Sequence, residues 1–391
     1  MRVLSLLVAL TIATAAHGQW QMQDSRTTAD LRGIDNVGGG VAWASGTNGT
    51  VLRSEDAGYL WQRCTIPPGA EHLDFRGIQA FDANTAIVMS SGPGDQSRLY
   101  KTTDGCQTWT LVFTNPDKTG FWDAVKFIDR NNGLLLGDPV NGSFILMSTR
   151  DGGNHWLQQT DPGLKADPSV QGAFAASNGS LDNNDFPGFG SGGLSGAFFF
   201  HVTSICVNFS NRFEYWDWSK EPAPVPIGNK SASSGIFAVA FLPAGSMTWG
   251  QCSTSPDGKG QLDGAFAAQN RSNWPTVAVG GDYLKPKERA GTAAFSLDGG
   301  NDWQAATTPP HGYRSAVAYD PATKTWITVG PNGTDISTDD GRNWRPHHPS
   351  PNDAPAADQH WNALSLPYAV GPHGRIGILN PAALKPTPTK P

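Results

Sequence analysis

Short apolar runs alternating with polar positions recur along this chain, and most end in turns rich in Gly, Asn and Asp. That pattern predicts β-strands rather than long amphipathic helices. Runs at 75–81, 121–127, 235–241, 313–319 and 361–366 read as the first strands of successive units. Runs at 86–90, 133–136, 276–279, 325–329 and 368–370 read as their second strands.

One eight-residue string follows these runs five times. It reads Ser54-Glu55-Asp56-Ala57-Gly58-Tyr59-Leu60-Trp61, then Thr102-Thr103-Asp104-Gly105-Cys106-Gln107-Thr108-Trp109, then Thr149-Arg150-Asp151-Gly152-Gly153-Asn154-His155-Trp156. It returns as Ser296-Leu297-Asp298-Gly299-Gly300-Asn301-Asp302-Trp303 and Ser337-Thr338-Asp339-Asp340-Gly341-Arg342-Asn343-Trp344. In S/T-x-D-x-G-x-x-W the Asp accepts turn N–H groups, the Gly takes a left-handed conformation, and the Trp returns on the next strand to cover the hairpin. Asp56, Trp61, Asp104, Trp109, Asp151, Trp156, Asp298, Trp303, Asp339 and Trp344 are therefore structural clasp residues. Steps of 48, 47 and 41 residues between the first three and last two Trp positions suit one four-stranded blade of a β-propeller. The 147-residue gap from Trp156 to Trp303 equals three such steps and predicts two blades without a clasp. Blades are expected near 30–66, 74–114, 120–160, 172–220, 234–308, 312–348 and 359–380. The expected fold is an all-β, seven-bladed β-propeller, with six or eight blades left open because 160–275 is weakly patterned. The last segment is short, so residues 19–28 are expected to supply its missing strand and close the ring.

Composition narrows the class. The 391 residues include 46 Gly, 29 Pro and 14 Trp, too aromatic for a disordered chain. A net charge of −6 with only 28 Lys plus Arg argues against a nucleic-acid-binding surface. Met1-Arg2, an apolar run from Val3 to Ala16, and small residues at Ala16 and Gly18 predict a signal peptide over 1–18, with a membrane anchor as the alternative. The mature protein is then exported, periplasmic or secreted. The propeller is expected over 19–380, with weak patterning around 160–230 and 243–275, and a disordered tail over 381–391. Cys64 follows the first clasp and Cys106 lies inside the second, so they are the preferred disulfide; two free buried thiols are the alternative. Cys206–Cys252 is a weaker pairing.

The five clasps resemble the Asp-box (BNR) repeats of sialidases and sortilin-type receptors. Phe121-Trp122-Asp123-Ala124, followed by Asn132-Gly133-Leu134-Leu135-Leu136-Gly137-Asp138, is most similar to propellers of the photosystem II assembly-factor type. The resemblance implies a propeller that assists assembly of an envelope or photosystem-like complex. The sialidase pattern is incomplete: no Arg-Ile-Pro segment occurs, and no Tyr sits in a nucleophile context.

Strand starts and second-to-third-strand loops should share one face around the channel, with the clasps on the other. That face is expected to carry Arg76, Trp122, Asp123, Asp138, Asp282, Tyr313, Arg314, His360 and Trp361 as ligand-binding residues. Arg76 and Arg314 open equivalent strands, with Trp122, Ile236 and Trp361 at the matching places in other blades. Either these arginines bind a ligand or they pair with Asp123 or Asp138 to seal the channel. Aromatics beside fixed charges suit a protein or peptide segment, or a carbohydrate. The first reading is a non-catalytic binding module, monomeric, with no cofactor and no metal. The second is a carbohydrate-active hydrolase using Asp123, Asp138 or Asp282 as acid and base.

Overall fold

The computed structural model describes residues 19–182, 186–208, 213–242, 247–251, 265–269, 274–349, 351 and 353–384. Seven antiparallel sheets stand around one axis, and the first strand of each packs on the first strand of the next until the seventh meets the first. Blade 1 is Leu31–Gly38, Val41–Gly46, Val51–Ser54 and Gln62–Arg63. Blade 2 is Phe75–Ala80, Ala86–Ser90, Arg98–Thr102 and Thr110–Thr114. Blade 3 is Trp122–Phe127, Gly133–Val140, Ser143–Thr149 and Leu157–Gln159. Blade 5 is Ser234–Phe241, Thr276–Asp282, Ala293–Ser296 and Gln304–Ala305, and blade 6 is Ala316–Asp320, Thr325–Gly330, Gly333–Ser337 and Arg345–Pro346. Blade 7 joins Ala363–Ser365, Tyr368–Gly371 and Arg375–Leu379 to Trp20–Gln23, which pairs antiparallel with Arg375–Leu379 as the outermost strand. The fold is thus an all-β seven-bladed propeller. Helical structure among the described residues is confined to four short 3-10 turns.

The apolar cores lie between neighbouring blades, because each twisted sheet buries both faces against the next. The five clasps share one geometry. In the fourth, Ser296 Oγ donates to Asp298 Oδ1 at 2.7 Å and accepts from Gly300 N at 2.9 Å, while Asp302 N donates to Asp298 Oδ1 at 3.1 Å. Trp156, Trp303 and Trp344 donate their indole N–H to the clasp carbonyls of Gly153, Gly300 and Gly341. The two residues after each Asp are left-handed, at φ 73° and 94° for Gly299 and Gly300. In the second clasp the Gly position is Cys106, held at φ 63° and joined to Cys64 across a Cα–Cα distance of 5.3 Å. The indole of Trp109 there donates to Thr65 O of the preceding blade.

Blade 4 corrects the sequence reading. One blade without a clasp, not two, fills the gap between Trp156 and Trp303. The extra length is an elaboration: the long strand Ala197–Asn208 pairs with Phe213–Trp218, and with Ala265–Gln269 of a hairpin inserted between the first two strands of blade 5. The innermost strand of blade 4 is only Leu181–Asp182. Ahead of it, 172–180 runs irregularly along the axis, where Asn178 donates to Ile78 O at 2.7 Å and accepts from Val125 N at 3.3 Å. Pro381–Leu384 form a 3-10 turn whose Leu384 packs into the blade 7 core, so order extends past the expected boundary at 380. Residues 1–18, expected as a leader, the end of the tail, and Cys252 lie outside the described residues.

Candidate binding site at the channel mouth

The strand registers define the mouth. Phe75 pairs with Ser90 and Ala86 with Thr102, so first strands begin, and second strands end, on the face opposite the clasps. In blades 1, 2, 3 and 5 the first strand carries a one-residue bulge just after it starts. The bulged residues are Arg32, Arg76, Asp123 and Phe237. A bulge re-aims one side chain out of the sheet alternation, and here all four line a single cavity of about 480 Å³. Ser315 and Asn362, one residue ahead of Ala316 and Ala363 in blades 6 and 7, line it as well.

The underlying signal is a quartet: a bulky residue, a mouth residue, a small residue, an aliphatic residue. It reads Leu31-Arg32-Gly33-Ile34, Phe75-Arg76-Gly77-Ile78, Trp122-Asp123-Ala124-Val125, Ile236-Phe237-Ala238-Val239, Arg314-Ser315-Ala316-Val317 and Trp361-Asn362-Ala363-Leu364. The bulky position is buried and the next faces the channel mouth. Glycine is required at position 77 by close approach, since a Cβ there would come within 2.6 Å of Asn178 Oδ1.

This register moves several expected ligand residues. Arg314 stands at the buried position, one place before the mouth, and is wholly inaccessible. Asp335 binds it through Nε and Nη2, and Asn332 Oδ1 accepts from Nη1 at 2.6 Å. Trp122 is at the same buried position, stacked on Phe113 with centroids 5.3 Å apart. His360 is exposed outside this cavity. Asp282 caps a turn, accepting from Ser233, Ser231, Asn229 and Leu284 N, and those hydrogen bonds help hold its pKa below the usual value despite burial. The hydrolase trio therefore does not converge. Arg76, Asp123, Asp138, Tyr313 and Trp361 do meet at the mouth. Missed were Phe237, Ser315 and Asn362, because the matching place was taken one residue too early in blades 5, 6 and 7, and Arg32, because no first strand was read in blade 1.

The mouth has three chemically distinct sectors. On blades 1 and 2, Asp74 Oδ2 lies 2.8 Å from Arg76 Nε and 3.5 Å from Arg32 Nε, leaving one cation in excess. Neither arginine forms an ion pair with Asp123 or Asp138; Arg76 Nη1 instead donates to Ala175 O at 3.1 Å. On blades 5 and 6, Phe237 stacks on Phe174 at 4.1 Å and meets Tyr313 edge-on at 4.8 Å, with half-exposed Tyr283 beside it. Burial drives the Tyr313 hydroxyl far above its ordinary pKa, so it stays neutral. On blade 3, burial and the nearby Asp138 charge raise Asp123 well above the carboxylate range. Burial also raises Asp138 to about 6, offset in part by the N–H of Ala173, which donates to its Oδ1 at 2.8 Å.

Comparison with solved structures gives two neighbours of the same architecture. One is described as YCF48 bound to D1 peptide, with TM-score 0.54 and 15% identity over 92% of this chain and 96% of that one. The other is YCF48 from Cyanidioschyzon merolae, with TM-score 0.53 and 17% identity over 93% and 99%. At that identity the likeness establishes the fold. No family model and no curated protein matches the sequence. Among the described residues no helix is long and apolar enough to cross a membrane.

Proposed function

We propose that this chain is an exported, non-catalytic propeller that binds an extended protein segment across the channel mouth, in the manner of an assembly factor. The observation that carries the reading is the shared strand position: six blades deliver Arg32, Arg76, Asp123, Phe237, Ser315 and Asn362 to one cavity. Guanidiniums opposite an aromatic wall suit a segment with an acidic group and an apolar side chain. The exposed Tyr283-Leu284 pair beside the cavity extends the apolar surface. The structural neighbour described with a bound peptide supports the same class of ligand. The Cys64–Cys106 disulfide supports an oxidising compartment, consistent with the leader at 1–18.

The test is selection of 12-residue peptides from a random library on the full chain, followed by titration with Arg32→Ala and Arg76→Ala. Each substitution should weaken the selected peptides at least tenfold while leaving the unfolding midpoint nearly unchanged, because both arginines are partly exposed. Peptides that bind both variants as well as the native chain would remove the mouth as the site.

One observation favours a second reading, a glycoside hydrolase. Asp123 and Asp138 line one cavity, and burial raises both, Asp123 well above its ordinary value and Asp138 to about 6, the setting in which a carboxyl can act as general acid. Turnover of chromogenic glycosides that disappears in Asp123→Asn would establish it; no turnover from pH 4 to 8 would discard it.

A further inference from the structure

Asp123 is placed unusually for a structural residue. It is 1% exposed, sits in a strand bulge rather than in the ladder, and lines the mouth cavity, yet its Oδ2 has no hydrogen-bond partner among the described residues. A buried carboxyl oxygen without a partner is costly, so an unfilled acceptor at a cavity wall points to a missing donor. Asp138 faces the same cavity, and its Oδ1 is already taken by Ala173 N.

We infer that Asp123 and Asp138 form a subsite for a peptide ammonium group, either a lysine Nζ or a chain N-terminus. The inference rests on the mouth being a peptide site, as proposed above. An ammonium is the group that fits. It is compact, carries three donors and needs only a few oxygens, whereas a calcium ion needs six or more. The neighbouring rings of Phe174 and Phe237 offer an apolar wall for a lysine stem. With Arg32 and Arg76 on blades 1 and 2 and the acids on blade 3, the mouth is bipolar. A segment carrying both charges is then read in one direction only.

The charged and titratable groups around Asp123 are Asp138 on its own blade, Arg76 with Asp74 on blade 2, Arg32 on blade 1, and Tyr283 and Tyr313 on blades 5 and 6. The two carboxyls repel each other and titrate as a coupled pair, so a bound cation displaces a proton. Binding should tighten by about tenfold from pH 5 to pH 7, as Asp138 ionises through about 6.

The experiment uses peptides selected from the random library and their synthetic analogues in which lysine is replaced by norleucine or the N-terminus is acetylated. If the subsite exists, one amine position recurs. Removing its charge weakens binding to the native chain at least tenfold, and to Asp123→Asn less than twofold. The acetylated and norleucine analogues separate the two amine sources. Near-UV circular dichroism of the tryptophans checks that the variant folds; Asp138→Asn supplies the same comparison if it does not. Selected peptides that need Arg76 but are indifferent to loss of their amines would overturn the subsite and leave the mouth intact as a peptide site. Selection of no mouth-dependent peptide would overturn both.

Discussion

Single residues in this ring do opposite work at nearly identical sequence positions. Arg76 and Arg314 both open strands, but a one-residue offset puts the first at the mouth and the second inside blade 6. Arg314→Leu leaves Asp335 buried, with His311 Nδ1 at 2.7 Å as its remaining side-chain partner from this network. The loss should be about 3–5 kcal/mol of unfolding free energy by urea titration, since breaking a buried pair strands a charge. Arg76→Ala removes a partly exposed pair and should cost less than about 1 kcal/mol. Asp35 makes a pH prediction. It lies half-buried in the clasp-side cavity of the channel, accepts from Gln79 Nε2 at 2.9 Å and Ala80 N at 2.7 Å, and burial raises its pKa from 3.8 to about 6. The folded state therefore holds its proton more tightly than the unfolded chain. That contribution is complete below pH 3.8 and is lost as pH rises through 6. Asp35→Asn keeps an oxygen acceptor and removes the ionisation. It should be more stable than the native chain by about 2–3 kcal/mol at pH 7 and unchanged at pH 3.5, measured by thermal unfolding.

Elements differ in how openly the sequence declares them. The clasp was legible because the side-chain hydrogen bonds that fix its turn are local: Ser296, Asp298, Gly300 and Trp303 fall within eight residues and are joined within that string. Ser296→Ala removes its acceptance from Gly300 N and should cost about 1–2 kcal/mol. The disulfide was legible from the repeat, since clasp turns of neighbouring blades share a face. Cys64→Ser should cost about 4 kcal/mol in the chain-entropy account, for a sequence separation of 42 residues. Adding Cys106→Gly should restore part of that loss by releasing a non-glycine residue from φ 63°. The mouth strands were legible as strands but not in register. The quartets Leu31-Arg32-Gly33-Ile34 and Ile236-Phe237-Ala238-Val239 carry the alignment, but a bulge shifts the alternation by one and disguises Phe237 as a wall residue. Blade 4 was illegible for a different reason. Its axial segment is small residues held by distant partners, Ala173 by Asp138 and Ala175 by Arg76, and such bonds leave no periodic trace.

At the scale of the molecule, the ring closes through Trp20–Gln23, the first strand in sequence, which lies beside the last strand in space. The short final segment signals that closure in the sequence, since a three-stranded blade beside a first blade leaves an edge unpaired. Two separable forces hold it. Backbone pairing joins Trp20 to Leu379 and Gln23 to Ile376. Side-chain packing buries Trp20 to 2% exposure with its ring 4.9 Å from Trp361, and Asp353 accepts from Gln19 N and Trp20 N. Trp20→Ala deletes the second force and keeps the first. It should lose about 3–5 kcal/mol, as large buried aromatics do, yet gain no self-association over the native chain because the edge stays covered. Deletion of residues 19–23 removes both and exposes the whole of Arg375–Leu379 as a free strand edge. That variant should be less stable still, and it alone should self-associate with concentration in sedimentation velocity. If the point variant associates as strongly as the deletion, packing rather than strand pairing protects the seam.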